Sequence, residues 1–124
     1  LAVAGCVSLR RPDIAWDRLD AKYASADSRW VDLPGGVRMH YRDQGRPEGP
    51  VLLLVHGFAA SLHTWEPWVA DLGRDHRVVS VDLPGFGLTR TPEGFRIGPN
   101  TYVEALEAFA RAKGLERFTL AGNS

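Results

Sequence analysis

The run Val51-Leu52-Leu53-Leu54-Val55 constrains this chain more than any other stretch. Five consecutive apolar residues after a Gly/Pro-rich polar loop, Gln44 to Pro50, read as a strand. The absence of alternation makes both faces of that strand apolar. Such a strand belongs in a parallel sheet covered by helices on both sides, because an antiparallel strand with one wet face would alternate.

The stretches around it extend this reading. Upstream, Arg29 to Leu33 and Val37 to Asp43 are strand-like, the second alternating apolar with polar, and Pro34-Gly35-Gly36 between them supplies the backbone angles of a tight turn. That is a hairpin signature. Downstream, Thr64 to Gly73 carries Trp65, Trp68, Val69 and Leu72 at helical spacing, with Pro67 in the first turn where a missing amide costs little. Arg77 to Val81 is a second buried-type strand running into Asp82-Leu83-Pro84-Gly85-Phe86-Gly87, and Arg90 to Pro99 is a loop. Thr101 and Glu104 fit a capping box opening a helix that runs to about Lys113, with Gly114 as its stop. A last apolar run, Arg117 to Ala121, leads to Gly122-Asn123-Ser124.

Strand, helix, strand, helix, strand in that order implies crossover connections and a parallel sheet. The fold class expected is therefore α/β: an N-terminal antiparallel hairpin followed by parallel strands with crossover helices, the sheet incomplete at its last strand. Residues 28–124 form the domain and residues 1–27 an apolar segment plus spacer, with at most a short amphipathic turn around Ile14, Trp16, Leu19 and Tyr23.

Charge narrows the partners. Fifteen basic and fifteen acidic residues give no net charge, and no basic run exceeds Arg10-Arg11, which argues against tracking a nucleic-acid backbone. No spacing of the H-E-x-x-H kind exists, so no metal is expected, and no cofactor. Gly85-Phe86-Gly87 lacks the third glycine of a dinucleotide fingerprint, since Arg90 stands there. The single cysteine, Cys6, cannot close an internal disulfide. Val3-Ala4-Gly5-Cys6 resembles the bacterial lipobox, in which the cysteine is lipidated; on that reading Cys6 tethers the domain to a membrane face of the cell envelope, and on the plain reading it is an idle thiol in a cytoplasmic protein.

Three turns now fall at the carboxyl ends of predicted parallel strands, where α/β proteins build their sites. They are His56-Gly57-Phe58, Asp82 to Gly87, and Gly122-Asn123-Ser124. In this order and spacing, from about Arg29 onward, they resemble the α/β-hydrolase family, and most closely its serine esterase and lipase-like branch. The resemblance implies that Ser124 is the nucleophile on a strand-to-helix elbow, with Gly122 and Asn123 shaping the bend. It implies that the backbone NH of Phe58 is one of two oxyanion donors, and that His56 and Gly57 order the turn rather than react. Asp82 is likewise expected to be structural, and His40, His63 and His76 to be surface or strand residues.

In that family the acid and histidine follow the serine, so both would lie beyond Ser124, and these 124 residues are expected to hydrolyse nothing at a useful rate. Leu62, Trp65 and Phe86, with Phe58 and Leu88, are candidates for an apolar pocket or equally for core packing. The substrate expected is a small apolar carboxylic ester or related acyl compound. Serine at position 124 sets the chain apart from the dehalogenase and epoxide hydrolase branches, which use aspartate. Carbon–carbon bond hydrolases or perhydrolases of the same fold, and a non-catalytic binding module, are the alternatives.

Overall fold

A computed structural model describes residues 12–124. The lipobox-like segment at Val3 to Cys6 lies outside the described residues. One five-stranded mixed sheet organises the rest. Its strands are β1 (Ser28–Leu33), β2 (Val37–Gly45), β3 (Val51–Val55), β4 (Arg77–Val81) and β5 (Thr119–Gly122), in the spatial order β1-β2-β4-β3-β5.

β1 and β2 form the antiparallel hairpin, closed by a single tight turn at Pro34–Gly36, and β2 runs antiparallel to β4. β3 is parallel to β4 on one side and to β5 on the other. Register decides where these strands end. Val55 pairs with both Val81 and Gly122, so all three parallel strands end on one row.

Alternation along the strands sorts residues onto two covered faces. Met39 and Tyr41 of β2, Leu53 of β3, and Val79 and Val81 of β4 join Ala105, Phe109 and Ala110 of α3 (Pro99–Ala112) in one core. Tyr41 and Phe109 meet edge-on with ring centroids 5.2 Å apart, and Phe109 is wholly buried. On the opposite face Leu54, Val78 and Ser80 are buried, and Arg42, which alternates with Tyr41, reaches Glu66 of α2 (Glu66–Leu72) at 2.6 Å. Helices thus flank both faces, as the unbroken apolar run of β3 requires.

Two element boundaries differ from the sequence expectation. α3 starts at Pro99, not at Thr101: Pro99 occupies the first helical turn, where the proline nitrogen withholds no needed hydrogen bond, and the Thr101 hydroxyl both accepts from Gly98 N–H (3.0 Å) and donates to Gly98 C=O (2.9 Å). The cap is therefore built one turn earlier, around Gly98. The second difference is α1 (Trp16–Tyr23), two full turns where at most a short turn was expected.

No residue of α1 is fully buried, so its own apolar stripe does not explain it. Arg90 does. Its guanidinium pairs with Asp20, and lies 5.2 Å from the Trp16 ring centroid and 6.0 Å from that of Trp30. Arg90 is itself fixed by a two-way backbone bridge to Arg38 on β2. The helix is thus docked by a cation held between two indoles, a long-range contact that local spacing cannot reveal.

Replacing Arg90 with alanine is expected to cost about 1 kcal/mol, the scale of a partly exposed ion pair with a cation–π contact. It should also free α1, read as faster tryptic cleavage after Arg18 and Lys22 with the rest of the domain intact. Unchanged cleavage would mean that other contacts dock the helix.

Candidate active site

Because β3, β4 and β5 end level, the residues that follow them emerge side by side: His56-Gly57 after β3, Asp82-Leu83 after β4, and Asn123-Ser124 after β5. The three predicted turns therefore share one rim. Asn123 N–H continues the ladder to Val55 C=O at 3.3 Å, and the Asn123 side chain turns back so that its Oδ1 accepts Gly57 N–H at 2.8 Å. Asn123 is a staple between the two turns.

Gly57 has to be a glycine. An ideal Cβ built on it would stand 2.9 Å from Asn123 O and 3.0 Å from Ser124 Cα, closer than real side chains approach backbone. The missing side chain lets the turn after β3 press against the backbone carrying Ser124. Phe58 comes next and is 89% exposed. Its amide and that of Ala59 donate no hydrogen bond to any described residue, whereas the amides of Gly57 and Ala60 on either side are engaged. Ala59 then takes a left-handed conformation at φ 55°, the one non-glycine to do so among the described residues. Such a conformation costs an alanine about 1 kcal/mol or more, which the surrounding turn must offset.

His56 is spent on structure. Its Nδ1–H donates to Gly57 C=O at 2.8 Å, and its Nε2 accepts Leu83 N–H at 3.0 Å, which fixes the tautomer and leaves neither nitrogen free for a serine proton. It ties the turn after β3 to the turn after β4. The other three histidines are no nearer to acting as bases for Ser124. His63 contacts Glu66 at 2.7 Å, and His76 precedes β4 at the opposite end of the sheet, with Nδ1 3.3 Å from Leu72 O. His40 is enclosed within the hairpin.

Asp82 organises the rest of the rim. Its Oδ1 accepts Leu62 N–H at 2.7 Å, while Oδ2 accepts Leu88 N–H at 2.9 Å and the His40 Nδ1–H at 2.7 Å. Burial by itself pushes this carboxyl up, but the bonds from His40, Leu88 and Leu62 outweigh it and hold it below the usual carboxylate range. Gly87 is the second obligatory glycine, since at φ 54° a Cβ would land on the Asp82 carboxylate.

His40 Nε2 in turn meets the Ser28 hydroxyl at 2.8 Å, so Ser28, His40 and Asp82 stand in the order of a catalytic triad. They are not one, because Ser28 is 7% exposed and its oxygen also takes Ser25 N–H, leaving no approach for a substrate. Sequence reading offered no hint of this network. The signal available was that His40 and Arg42 alternate with Met39 and Tyr41, which places two polar side chains on a face that a helix covers.

The apolar candidates separate in space. Leu62 and Leu88 are 1% and 2% exposed and sit in the interior behind the Asp82 carboxylate. Trp65 ends a short 3-10 turn, Leu62–Trp65, and its indole nitrogen is buried without a partner. Phe86 faces the rim and packs edge-on against both His56 (5.5 Å) and Phe58 (5.9 Å). A groove of about 740 Å³ lies elsewhere, between α3 and β5, and its walls include none of His56, Gly57, Phe58 or Ser124.

Asp82→Asn is expected to destabilise the domain by about 2–3 kcal/mol or more, the scale of hydrogen bonds lost to a buried ionised carboxylate. The pH dependence has a definite sign. The contribution of Asp82 is complete above its ordinary value of 3.8 and is lost as pH falls through the lower folded value, so acid unfolding of the wild type should carry a component that Asp82→Asn lacks. Equal slopes of stability against pH for the two proteins between about pH 2 and 5 would remove Asp82 from that role.

Comparison with known proteins agrees with this geometry. Residues 50–124 match the family model described as the alpha/beta hydrolase fold. The chain is 35% identical over 95 residues to the 2-hydroxy-6-oxo-2,4-heptadienoate hydrolase of Pseudomonas putida, covering 74% of this chain and 34% of that protein. It is 34% identical over 88 residues to epoxide hydrolase 2 of Caenorhabditis elegans, covering 70% and 25%. Among solved structures it superposes on a bacterial membrane phospholipase A with a TM-score of 0.74 at 35% identity, over 78% of this chain and 31% of that one. The chain thus spans about a third or less of the length of these relatives. With the hairpin, the level parallel strands and the stapled rim in place, and with a family match over more than half its length, the chain belongs to the α/β-hydrolase fold family.

Proposed function

We propose that this chain carries the nucleophile half of a serine hydrolase acting on carboxylic esters or related acyl compounds. The observation that carries the reading is the approach of Gly57 to Ser124, which brings the serine beside a turn whose next amide, Phe58 N–H, has no partner among the described residues. In the proposed reaction Ser124 Oγ attacks the acyl carbonyl and its proton passes to a base. The oxyanion takes a hydrogen bond from Phe58 N–H, the protonated alcohol departs, and water then attacks the acyl-serine by the reverse sequence.

None of the four histidines is placed to be that base, so base and acid belong to residues beyond those present here. A serine without a base is a weak nucleophile, and the 124 residues by themselves are proposed to be inactive. A second reading has support of its own: the Pseudomonas putida relative acts, by its name, on a 2-hydroxy-6-oxo-dienoate, which keeps carbon–carbon bond hydrolysis in play. Phe58-Ala59-Ala60 favours the ester, because the carbon–carbon hydrolases resembled by this chain carry a glycine-rich stretch there. Ser124 likewise favours acyl chemistry over the aspartate-based opening of an epoxide. The membrane tether through Cys6 is a proposal that rests on the sequence Val3-Ala4-Gly5-Cys6 alone.

The test compares the 124 residues with a polypeptide extended past Ser124 through the expected acid and histidine. The extended form is expected to turn over 4-nitrophenyl esters and to label with a fluorophosphonate, and Ser124→Ala should lower kcat by about a thousandfold or more. Turnover by the short form, or by the Ser124→Ala protein, would overturn the assignment.

A further inference from the structure

The turn that carries the Phe58 amide runs from Gly57 to Leu62 and is fastened at both ends. At the first end Gly57 N–H donates to Asn123 Oδ1 and Gly57 C=O accepts the His56 Nδ1–H, each at 2.8 Å. At the second end Leu62 N–H donates to Asp82 Oδ1 at 2.7 Å. Between these anchors the amides of Phe58 and Ala59 donate to no described residue, and Ala59 is left-handed at φ 55°. An alanine leaves that region when it is free to do so, so the anchors hold it there.

The second anchor has a long root. Ser25 N–H donates to Ser28 Oγ at 3.0 Å, the Ser28 hydroxyl to His40 Nε2 at 2.8 Å, and His40 Nδ1–H to Asp82 Oδ2 at 2.7 Å. Every donor in this chain points towards Asp82, so each bond polarises the next. Ser28, His40 and Asp82 are all buried, which leaves no bulk water to replace a lost member. The Asp82 backbone is pinned separately, its N–H to His40 C=O at 3.0 Å and its C=O by the Thr89 hydroxyl at 2.7 Å. What remains free is rotation of the carboxylate. The imidazole and the Leu88 amide settle that rotation at Oδ2, and so aim Oδ1 at Leu62.

We propose that Ser28 and His40 are positioning residues for the turn from Gly57 to Leu62. The chain they form holds the Asp82 carboxylate in the orientation that anchors Leu62, and the anchored turn keeps Ala59 strained and presents the Phe58 amide. Neither residue touches a substrate. The effect on rate rests on the reading of Ser124 as nucleophile and Phe58 N–H as oxyanion donor, whereas the claim about the shape of the turn stands without it.

The test uses the polypeptide extended past Ser124. Ser28→Ala is expected to lower kcat on 4-nitrophenyl acetate about tenfold with KM changed less than about twofold, because the loss falls on a hydrogen bond made in the transition state. Strain supplies a sharper readout. Glycine adopts the φ of 55° found at Ala59 without penalty, so in an Ala59→Gly background the turn leans less on its anchor, and Ser28→Ala should then cost about threefold or less. A Ser28 that only stabilised the fold would cost the same in both backgrounds. Ser28→Cys, close in size and a weaker donor, gives the same comparison where Ser28→Ala does not fold. In the nitrogen-15 labelled protein, loss of the Ser28 hydroxyl should also move the amide signals of Phe58, Ala59 and Leu62. Equal kcat losses with and without Ala59→Gly, or Phe58 and Ala59 signals that stay in place, would overturn the positioning role. An extended protein that turns over no ester, yet shows those signals moving, would sink only the assignment of Ser124 and support the anchor.

Discussion

The buried carboxylate of Asp82 is the interaction on which this end of the molecule depends. A charge taken out of water is tolerated only when its lone pairs are filled, and here they collect two backbone amides and an imidazole from three different segments. Leu62 belongs to the turn that enters α2, Leu88 to the loop after β4, and His40 to the hairpin. One side chain thus sets the distance between a helix start, a loop and a strand. The Gly87 conformation follows from the same constraint, because the loop must fold back over the carboxylate with no side chain in the way.

His56 performs the complementary task along the other diagonal of the rim, joining the turns after β3 and β4. Asn123 joins the turn after β3 to the one after β5. Each of the three turns is therefore bonded to a neighbour through a side chain, and each bond leaves a donor or acceptor already used. The amides of Phe58 and Ala59 donate to no described residue, in contrast to those of Gly57 and Ala60 on either side. The half-exposed cluster of Arg42, His63 and Glu66 sits apart from the rim; there the Arg42 guanidinium, followed by His63, holds Glu66 below its usual range, and solvent screening keeps the pair's worth small.

Much of this was legible from residues alone, because the governing constraints are local. An apolar run without alternation can only be satisfied between two layers of helix, and Pro34-Gly35-Gly36 can hardly do anything but turn the chain. The three turns after strands could be placed at one end of a sheet because parallel strands share a direction. What failed was of another kind. α1 owes its existence to a cation between Trp16 and Trp30, partners far from Arg90 along the chain, and no periodicity reports such a contact. The start of α3 moved because Gly98, Pro99 and Thr101 cap together, a choice between two local options that packing settles.

By itself, then, the sequence determined the order and type of most of the elements and the hairpin. Only the tertiary structure decided that Val55 aligns with both Val81 and Gly122, that Asn123 reaches back to Gly57, and that Ser28, His40 and Asp82 join in a buried chain. The reason is range. Propensity and periodicity act over a few residues, whereas register and side-chain networks compare groups brought together from distant parts of the chain, and their energies exist only once the sheet has formed.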